Sequence, residues 1–230
     1  MASVIRRKAP QTTTAACIVL HGLGDSAHGW TFLADMLHNR SQFQHIDFLF
    51  PNAPTRPLSM AFGQPVSQWF DLYELPSPAA ISSGTKIKED AAGYWKTVEW
   101  VKSLVAEEET KWGKGNVIVG GFSQGAAVSL GVTASGAQVP VLCLSGFAVK
   151  EGLSERIAKL SEENKDVSIF HGHGDADDVV DVRFARATAQ LYKDAGFSQY
   201  AFKEYPNMGH SSNEQELADI SNFISTNLSR

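Results

Sequence analysis

Residues 117–121 read Val-Ile-Val-Gly-Gly, and this uninterrupted apolar run constrains the fold more than any other feature of the chain. A strand with one face in water alternates polar and apolar residues, whereas an unbroken run is typical of a strand covered on both faces. Comparable runs predict strands at 15–20, 46–50, 116–120, 141–145, 167–170 and 200–205. Segments of helical period lie between them, at 30–38, 87–112, 124–133, 154–163, 183–195 and 214–227.

Strands that alternate with helices predict an α/β fold with a mainly parallel central sheet and helices on both faces. A length of 230 residues fits a single domain, 1–230, in which residues 1–14 form an N-terminal extension. Residues 52–84 break the alternation, because they hold five prolines and little periodicity. Connections of this length are usually functional in a compact domain, so we expect a lid-like loop there.

The bulk properties of the chain bound its partners and location. A net charge of −5 gives no electrostatic reason to expect nucleic acid, and no apolar run approaches the ~20 residues that cross a bilayer. The basic run at 6–8 is interpreted as part of a solvated N-terminus. Cys17 and Cys143 fall in apolar runs, as expected of buried free thiols in a reducing compartment. We therefore expect a cytoplasmic protein.

The strongest chemical signal is the G-x-S-x-G pentapeptide at 121–125, which follows a predicted strand and opens a predicted helix. Such a turn strains Ser123 and exposes its hydroxyl above the sheet, while the flanking glycines avoid clashes between helix and strand. Ser123 is therefore the candidate nucleophile. The N–H of Gln124, at the start of the helix, is a candidate donor to an oxyanion.

A nucleophilic serine needs a base, and His210 is the best candidate among the seven histidines. It lies between the last predicted strand and the last predicted helix, and chains with this serine turn carry their triad in the order serine, acid, histidine. The alternative is that His210 only caps the terminal helix.

Residues 170–181, FHGHGDADDVVD, hold a second chemical signal. The spacing of His171, His173 and Asp175 resembles a row of metal ligands, but position 176 is alanine, and later loops offer too few histidines for a fuller shell. Three ligands alone make a poor zinc site, so we expect no metal and assign the histidines to the scaffold of the strand end.

The same loop is expected to supply the acid of the triad. Asp177 fits best, because it lies between a glycine that turns the chain off the strand and a valine that re-enters the core. Asp175 remains the alternative acid. Other aspartates of the loop are expected to be solvated or to bond the local backbone.

The loop after the first long strand, LHGLGDSAHGW, is rich in glycine, so its backbone can approach a ligand closely. Leu23 is its natural oxyanion donor, through the backbone N–H. His21 and Asp25 are expected to brace this loop rather than to react.

Six motifs resemble those of the acyl-protein thioesterases in order and approximate spacing: LHGLGDSAHGW, PNAPTRPLS, QWFD, GGFSQGAA, HGHGDADDVV and MGHSS. That family lies in the phospholipase/carboxylesterase group of the α/β-hydrolase fold, and the resemblance covers about residues 15–228. It implies a triad of Ser123, Asp177 and His210, with Leu23 and Gln124 as oxyanion donors.

The resemblance also implies a substrate-binding region, in which Trp69 and Phe70 border an apolar acyl channel and Val179 lines it. One departure concerns the position after the acid, where the family commonly has proline and this chain has Asp178. A second carboxylate there is expected to raise the pKa of Asp177. Some members carry a lipidated N-terminal cysteine, and the residues at the start of this sequence include none.

The function implied is metal-free and cofactor-free hydrolysis of long-chain acyl thioesters, such as S-palmitoyl cysteine on proteins. The expected partners are S-acylated proteins, and lysophospholipids or small esters are further candidate substrates. Transient contact with a membrane surface and a weak homodimer are both compatible with the sequence. The alternative within enzymes is a general carboxylesterase or lysophospholipase, and the alternative outside them is a hydrolase-fold protein that only binds an acyl ligand.

Overall fold

The computed structural model describes residues 3–74 and 88–228, which include a central sheet of seven strands. In chain order the strands of the molecule are β1 (Val4–Arg7), β2 (Ala15–Leu20), β3 (Ile46–Pro51), β4 (Thr55–Leu58), β5 (Gln64–Ser67), β6 (Val117–Phe122), β7 (Val141–Leu144), β8 (Ile169–Gly174) and β9 (Tyr200–Tyr205). The central sheet has the order β1-β3-β2-β6-β7-β8-β9, and β4 and β5 form a separate hairpin. Strand β1 pairs antiparallel with β3, and the other neighbours in the central sheet pair in parallel.

The α-helices cover both faces of this sheet. They are α1 (Thr31–His38), α2 (Ala91–Trp112), α3 (Gln124–Ala134), α4 (Leu153–Ile157), α5 (Glu162–Lys165), α6 (Val182–Asp194) and α7 (Glu214–Asn227). Buried side chains of α1 and α7 pack on one face, and those of α2, α3, α4 and α6 pack on the other. The prediction of a mainly parallel sheet between two helical layers is confirmed. None of the helices in the described ranges is long and apolar enough to span a bilayer.

Helix α3 is the most enclosed element, because every residue from Gln124 to Ala134 is buried. A helix that is apolar all round needs cover on every side. Here α2 provides part of it, and the Tyr94 hydroxyl donates to the Ala127 carbonyl at 2.8 Å. The helix that follows the serine turn is therefore held on the sheet without an exposed face.

The expectation that the start of the chain is solvated is wrong. Residues 4–7 form strand β1, and Arg6 reaches the carboxylates of Asp47 and Glu108. The Glu108 side chain is fully buried, so an unpaired charge there would be costly. The guanidinium of Arg6 therefore ties the sheet edge to α2.

The segment predicted as a lid-like loop contains regular structure over its described part. The antiparallel hairpin of β4 and β5 pairs Pro57 with Pro65. At its tip Phe62 adopts a positive φ of 53° and is fully exposed. Residues 75–84 of the predicted loop lie outside the described residues, so the lid function, like the assignment of one domain to the whole chain, stays a prediction.

Two helix predictions need correction. The single helix predicted at 154–163 is replaced by two short helices, α4 and α5, and Ser161 caps the second through a capping box with Asn164. The helix predicted from residue 87 begins at Ala91, because the Asp90 side chain accepts the Gly93 N–H and caps it there. Residue 87 itself lies outside the described range.

Candidate active site

Ser123 lies at the sharp turn between β6 and α3, with φ 54° and ψ −116°. This backbone conformation is rarely populated by a residue with a side chain, and strain of this kind concentrates at functional sites. The Ser123 N–H donates to the Leu144 carbonyl at 2.8 Å, which fixes the turn to the neighbouring strand. The conformation is the one expected of a nucleophile elbow.

The glycines of the pentapeptide have a steric purpose. A Cβ on Gly121 would lie 2.5 Å from the backbone of Gly125, and a Cβ on Gly125 would lie 2.4 Å from the Leu20 carbonyl oxygen. Both contacts involve backbone, which cannot move aside as a flexible side chain can. Glycine at both positions is therefore required for α3 to approach the sheet.

His210 and Asp177 meet at the carboxyl end of the sheet. The His210 Nδ1 lies 2.7 Å from Asp177 Oδ2, and the ring of His210 packs on Phe122 at a centroid distance of 4.6 Å. Because a carboxylate accepts hydrogen bonds, Nδ1 carries the proton and Nε2 is left with its lone pair. Phe122 precedes Ser123, so the imidazole lies beside the elbow.

The loops that carry these two residues are joined through their backbones. The Ala176 N–H donates to the Met208 carbonyl at 3.1 Å, and a Cβ on Gly174 would collide with that same carbonyl. Glycine at the end of β8 therefore lets the two loops approach, which sets the distance between Asp177 and His210.

The Asp177 carboxylate is buried and bonded at both oxygens. Its Oδ1 accepts the N–H groups of Val179 and Val180 at 2.9 and 2.8 Å, and its Oδ2 faces His210. Burial alone would raise the pKa of Asp177, but the N–H groups of His173, His210 and Val180 lower that pKa well below its ordinary value. The expectation that Asp178 raises it is wrong, since Asp178 points into water, where its charge is screened.

Asp175, the alternative acid, is bonded elsewhere. It is exposed, and its Oδ1 accepts the backbone N–H of Asn207 at 2.7 Å. The geometry therefore brings His210 together with Asp177, while Asp175 braces the loop that carries the base.

His173 is a residue that sequence reasoning assigned to the scaffold, yet the structure brings it to Asp177. Its Nε2 lies 2.7 Å from the Val180 carbonyl oxygen and 3.3 Å from Asp177 Oδ2. His171, two residues earlier, lies instead 2.7 Å from the Tyr200 hydroxyl. The two histidines thus have different partners, and the His-x-His spacing alone does not distinguish them.

A second buried carboxyl, that of Glu216, lies behind the loop of the base. It follows the N-cap of α7, where its N–H bonds Asn213, and its Oε1 lies so close to Gly172 that a Cβ there would come within 2.3 Å. Burial raises the pKa of Glu216 to about 7, although the nearby Ser212 hydroxyl opposes the shift.

The loop after β2 brings backbone up to the elbow. A Cβ on Gly22 would lie 3.5 Å from the Ser123 Cβ, so the chain at Gly22 and Leu23 runs directly beside the serine. A bond of 2.8 Å from the Gly24 N–H to the Ser67 carbonyl holds the loop against the β4–β5 hairpin. On the other side, Gln124 is the first residue of α3, and its N–H has no intrahelical acceptor.

His21 braces this loop, as its sequence context predicts. Its Nε2 accepts the Ala53 N–H at 3.0 Å, so its Nδ1 carries the proton and donates to the Gly22 carbonyl at 2.7 Å. Burial lowers the pKa of His21, and the neutral ring is the form that these two bonds require.

Trp69 and Phe70 are buried, and the Gln124 side chain holds their backbone. The Trp69 N–H donates to Gln124 Oε1 at 2.8 Å, and Gln124 Nε2 donates to the Phe70 carbonyl at 2.7 Å. The Trp69 indole N–H donates to the His21 carbonyl at 2.7 Å. The described contacts of the two aromatics anchor their segment to the site, and their contact with an acyl chain stays a prediction.

Val179 differs from these aromatics, because its side chain is 39% exposed. Its N–H bonds the Asp177 carboxylate, so the exposed side chain lies next to the acid. The structure places it where an incoming apolar group can reach it, and its role in binding also stays a prediction.

Comparison with known proteins extends the description. A family model described as Phospholipase/Carboxylesterase matches residues 1–228. The chain is 38% identical over 219 residues to acyl-protein thioesterase 1 of Candida albicans, covering 91% of this chain and 90% of that protein. It is 36% identical over 228 residues to acyl-protein thioesterase 1 of Saccharomyces cerevisiae, covering 95% of each.

The chain is also similar to a solved structure of an acyl-protein thioesterase. The crystal structure of Zea mays acyl-protein thioesterase 2 matches with a TM-score of 0.84 at 27% identity, covering 99% of this chain and 100% of that chain. The similarity in sequence and in structure therefore spans the segments that carry Ser123, Asp177 and His210.

Proposed function

Because the chain belongs to the phospholipase/carboxylesterase family, a family of ester and thioester hydrolases, we propose that it cleaves long-chain acyl thioesters such as S-palmitoyl cysteine on proteins. That the chain is a hydrolase follows from its family. The substrate and the residues that act on it are the proposal. The observation that carries it is the 2.7 Å contact between His210 and Asp177, beside a serine held in a strained turn.

In the proposed mechanism Ser123 attacks the acyl carbonyl while His210 Nε2 takes its proton. Asp177 holds the imidazole with its Nδ1 proton in place and balances the charge that forms on the ring. The low pKa of Asp177 supports this role, because the carboxylate stays ionised at neutral pH. Water activated by the same imidazole then releases the fatty acid, so no metal or cofactor enters the scheme.

The oxyanion that forms on the acyl carbonyl is assigned to the N–H groups of Leu23 and Gln124. Each such donor is typically worth about 3 kcal/mol of transition-state stabilisation. His21 braces the loop of Leu23, and Gln124 is held at the start of α3.

The leaving group explains why thioesters are the proposed substrates. A cysteine thiolate, with a free pKa of ~8.5, departs more easily than an alkoxide and needs less help from a general acid. Each methylene of the acyl chain that is buried beside Val179, Trp69 or Phe70 would add up to ~0.8 kcal/mol of binding. The proposed partners are therefore proteins that carry long acyl chains, and a cytoplasmic location and weak dimerisation stay predictions.

Labelling with a fluorophosphonate probe tests the nucleophile. We expect rapid labelling of the wild type and none of Ser123→Ala, and absence of labelling in the wild type would refute the enzyme mechanism in favour of a protein that only binds acyl ligands. Turnover of a palmitoyl-cysteine peptide against a lysophospholipid then tests the substrate. Cleavage of short aryl esters and lysophospholipid, with the thioester peptide left intact, would favour the general carboxylesterase.

A further inference from the structure

We propose that His173 is a positioning residue for the triad: its ring N–H fixes the Asp177 carboxylate toward His210 and withdraws part of the negative charge that would otherwise act on the base. The inference rests on the proposed function, since it assigns Asp177 and His210 their roles in hydrolysis. It adds a second histidine to the acid, at the same carboxylate oxygen that faces the base.

The contacts of the His173 ring determine which of its nitrogens carries a proton. Its Nε2 lies 2.7 Å from the Val180 carbonyl oxygen, which can only accept, so Nε2 must carry a proton. The same nitrogen lies 3.3 Å from Asp177 Oδ2. One N–H thus faces two acceptors, a shared arrangement in which the shorter bond goes to the carbonyl and the carboxylate gains the electrostatic attraction.

His173 and His210 face the same oxygen of the Asp177 carboxylate. His173 faces Oδ2, which is also the atom 2.7 Å from His210 Nδ1. The other oxygen, Oδ1, is already bonded by the N–H groups of Val179 and Val180. Removal of His173 would therefore leave His210 as the sole described side-chain donor to Oδ2, and it would also free the Val180 carbonyl that helps to close the turn.

His171 provides a comparison that distinguishes the proposed role of His173 from ordinary packing. His171 is on the same strand, is equally buried, and packs against His173 at a ring distance of 5.8 Å. Its Nδ1 is bonded to the Tyr200 hydroxyl rather than to the acid. The chain thus provides a matched buried histidine that makes no described contact with Asp177.

The charges around His173 determine the sign of the expected effect. Titratable groups that act on it are His171 on its own strand, Glu204 at the paired position of β9, Glu216 of α7, and Asp177 with His210 in the site. Of these carboxyl groups, Asp177 has a described ion-pair contact with the His173 ring, and Glu204 is paired with Arg186. Loss of the His173 N–H leaves Oδ2 with one donor fewer, so the carboxylate attracts protonated His210 more strongly.

The experiment compares His173→Leu with His171→Leu, the same change at two equally buried positions. For His173→Leu we expect kcat to fall about tenfold or more with KM little changed, because the lost donor faced a charged group. We also expect the acidic limb of the kcat/KM profile to move to higher pH. For His171→Leu we expect lower thermal stability but wild-type kinetics.

A third variant, His173→Gln, keeps an amide N–H that can reach the region of the lost ring nitrogen. It is expected to restore most of kcat and to return the acidic limb toward its wild-type pH, which also covers the case in which His173→Leu fails to fold. Loss of activity with an unmoved acidic limb, no rescue by glutamine, or equal kinetics in both leucine variants would each overturn the inference.

Fluorophosphonate labelling of the wild type and of Ser123→Ala runs in parallel. If the wild type is not labelled, the proposed function itself fails. If the wild type is labelled and active while His173→Leu and His171→Leu have the same kinetics, only the proposed role of His173 is wrong.

Discussion

Replacement of Asp177 by asparagine is the sharpest perturbation of the proposed site, because the two oxygens of this carboxylate have distinct partners. Oδ1 accepts two backbone N–H groups and Oδ2 faces the N–H of His210. An asparagine keeps its oxygen toward the two backbone N–H groups, since the opposite orientation would direct its NH₂ at both of them at 2.8–2.9 Å, whereas the His173 N–H near Oδ2 is farther away, at 3.3 Å. Its amide NH₂ then faces His210 Nδ1, which must become an acceptor.

The consequence is the wrong tautomer of the base. With Nδ1 as acceptor, neutral His210 carries its proton on Nε2 and cannot take one from Ser123. Loss of the correct tautomer costs roughly 10⁴-fold in kcat in serine hydrolases, or about 5.5 kcal/mol in activation free energy. The assay is steady-state hydrolysis of a palmitoyl-thioester peptide at neutral pH, with circular dichroism to verify the fold.

Asp175→Asn is the matched control, two residues away in the same loop. Its oxygen can still accept the Asn207 N–H in the amide form, so we expect less than a threefold change in kcat. Asp177→Asn within tenfold of the wild type, or Asp175→Asn as inactive as we expect Asp177→Asn to be, would refute the assignment of the acid.

Three further outcomes follow from the structure. The raised pKa of Glu216 contributes stability that is fully present below the ordinary value of 4.5 and is lost as pH rises through about 7. In urea unfolding, the free energy of unfolding of Glu216→Gln should therefore rise relative to that of the wild type by up to about 3 kcal/mol between pH 4.5 and 8.5. A difference that does not change with pH would contradict this. Arg6→Met leaves the two buried carboxylates of Asp47 and Glu108 without their guanidinium and should lower the free energy of unfolding by about 3 kcal/mol. Arg7→Met removes only an exposed ion pair with Asp35 and should cost at most about 0.5 kcal/mol. Equal losses in the two variants would rule out the buried network. Gly125→Ala forces a Cβ to 2.4 Å from the Leu20 carbonyl and should lower both the melting temperature and kcat/KM, whereas wild-type values would show that the turn can relax.

Where local chemistry alone determines structure, the sequence was informative. Strands at 15–20 and 200–205 and the helix at 214–227 begin and end where their apolar patterns predict. The serine turn was readable because its glycines and strand-to-helix context leave few alternatives, and the observed φ of Ser123 matches the strain expected there. The meeting of His210 with Asp177 follows from parallel topology, which brings the carboxyl ends of β8 and β9 to one edge.

Other features depend on contacts that are distant in sequence. Strand β1 forms because residues 4–7 pair with β3 and Arg6 finds Glu108, 102 positions away, and no local period announces either. The contact of His173 with Asp177 was missed for a related reason: His171 and His173 look equivalent in a strand, and only the return of the chain at Val180 separates them. The aromatic pair at 69–70 was expected near the substrate, and the sequence does not show that its backbone is held by the Gln124 amide, a partner more than 50 residues away.

The two hydrogen bonds between the Gln124 amide and this pair have a consequence for engineering new specificity. The residue whose backbone N–H is assigned to the oxyanion also fixes, through its side chain, the Trp69 N–H and the Phe70 carbonyl. A chimaera that imports a foreign loop must therefore keep the bent backbone conformation of positions 69–70, whatever side chains it brings. Even glutamate at 124 would fail as a joint, because it has no N–H to offer the Phe70 carbonyl. Loop grafts in this scaffold should therefore leave residues 69 and 70 in place, together with their two bonds to Gln124.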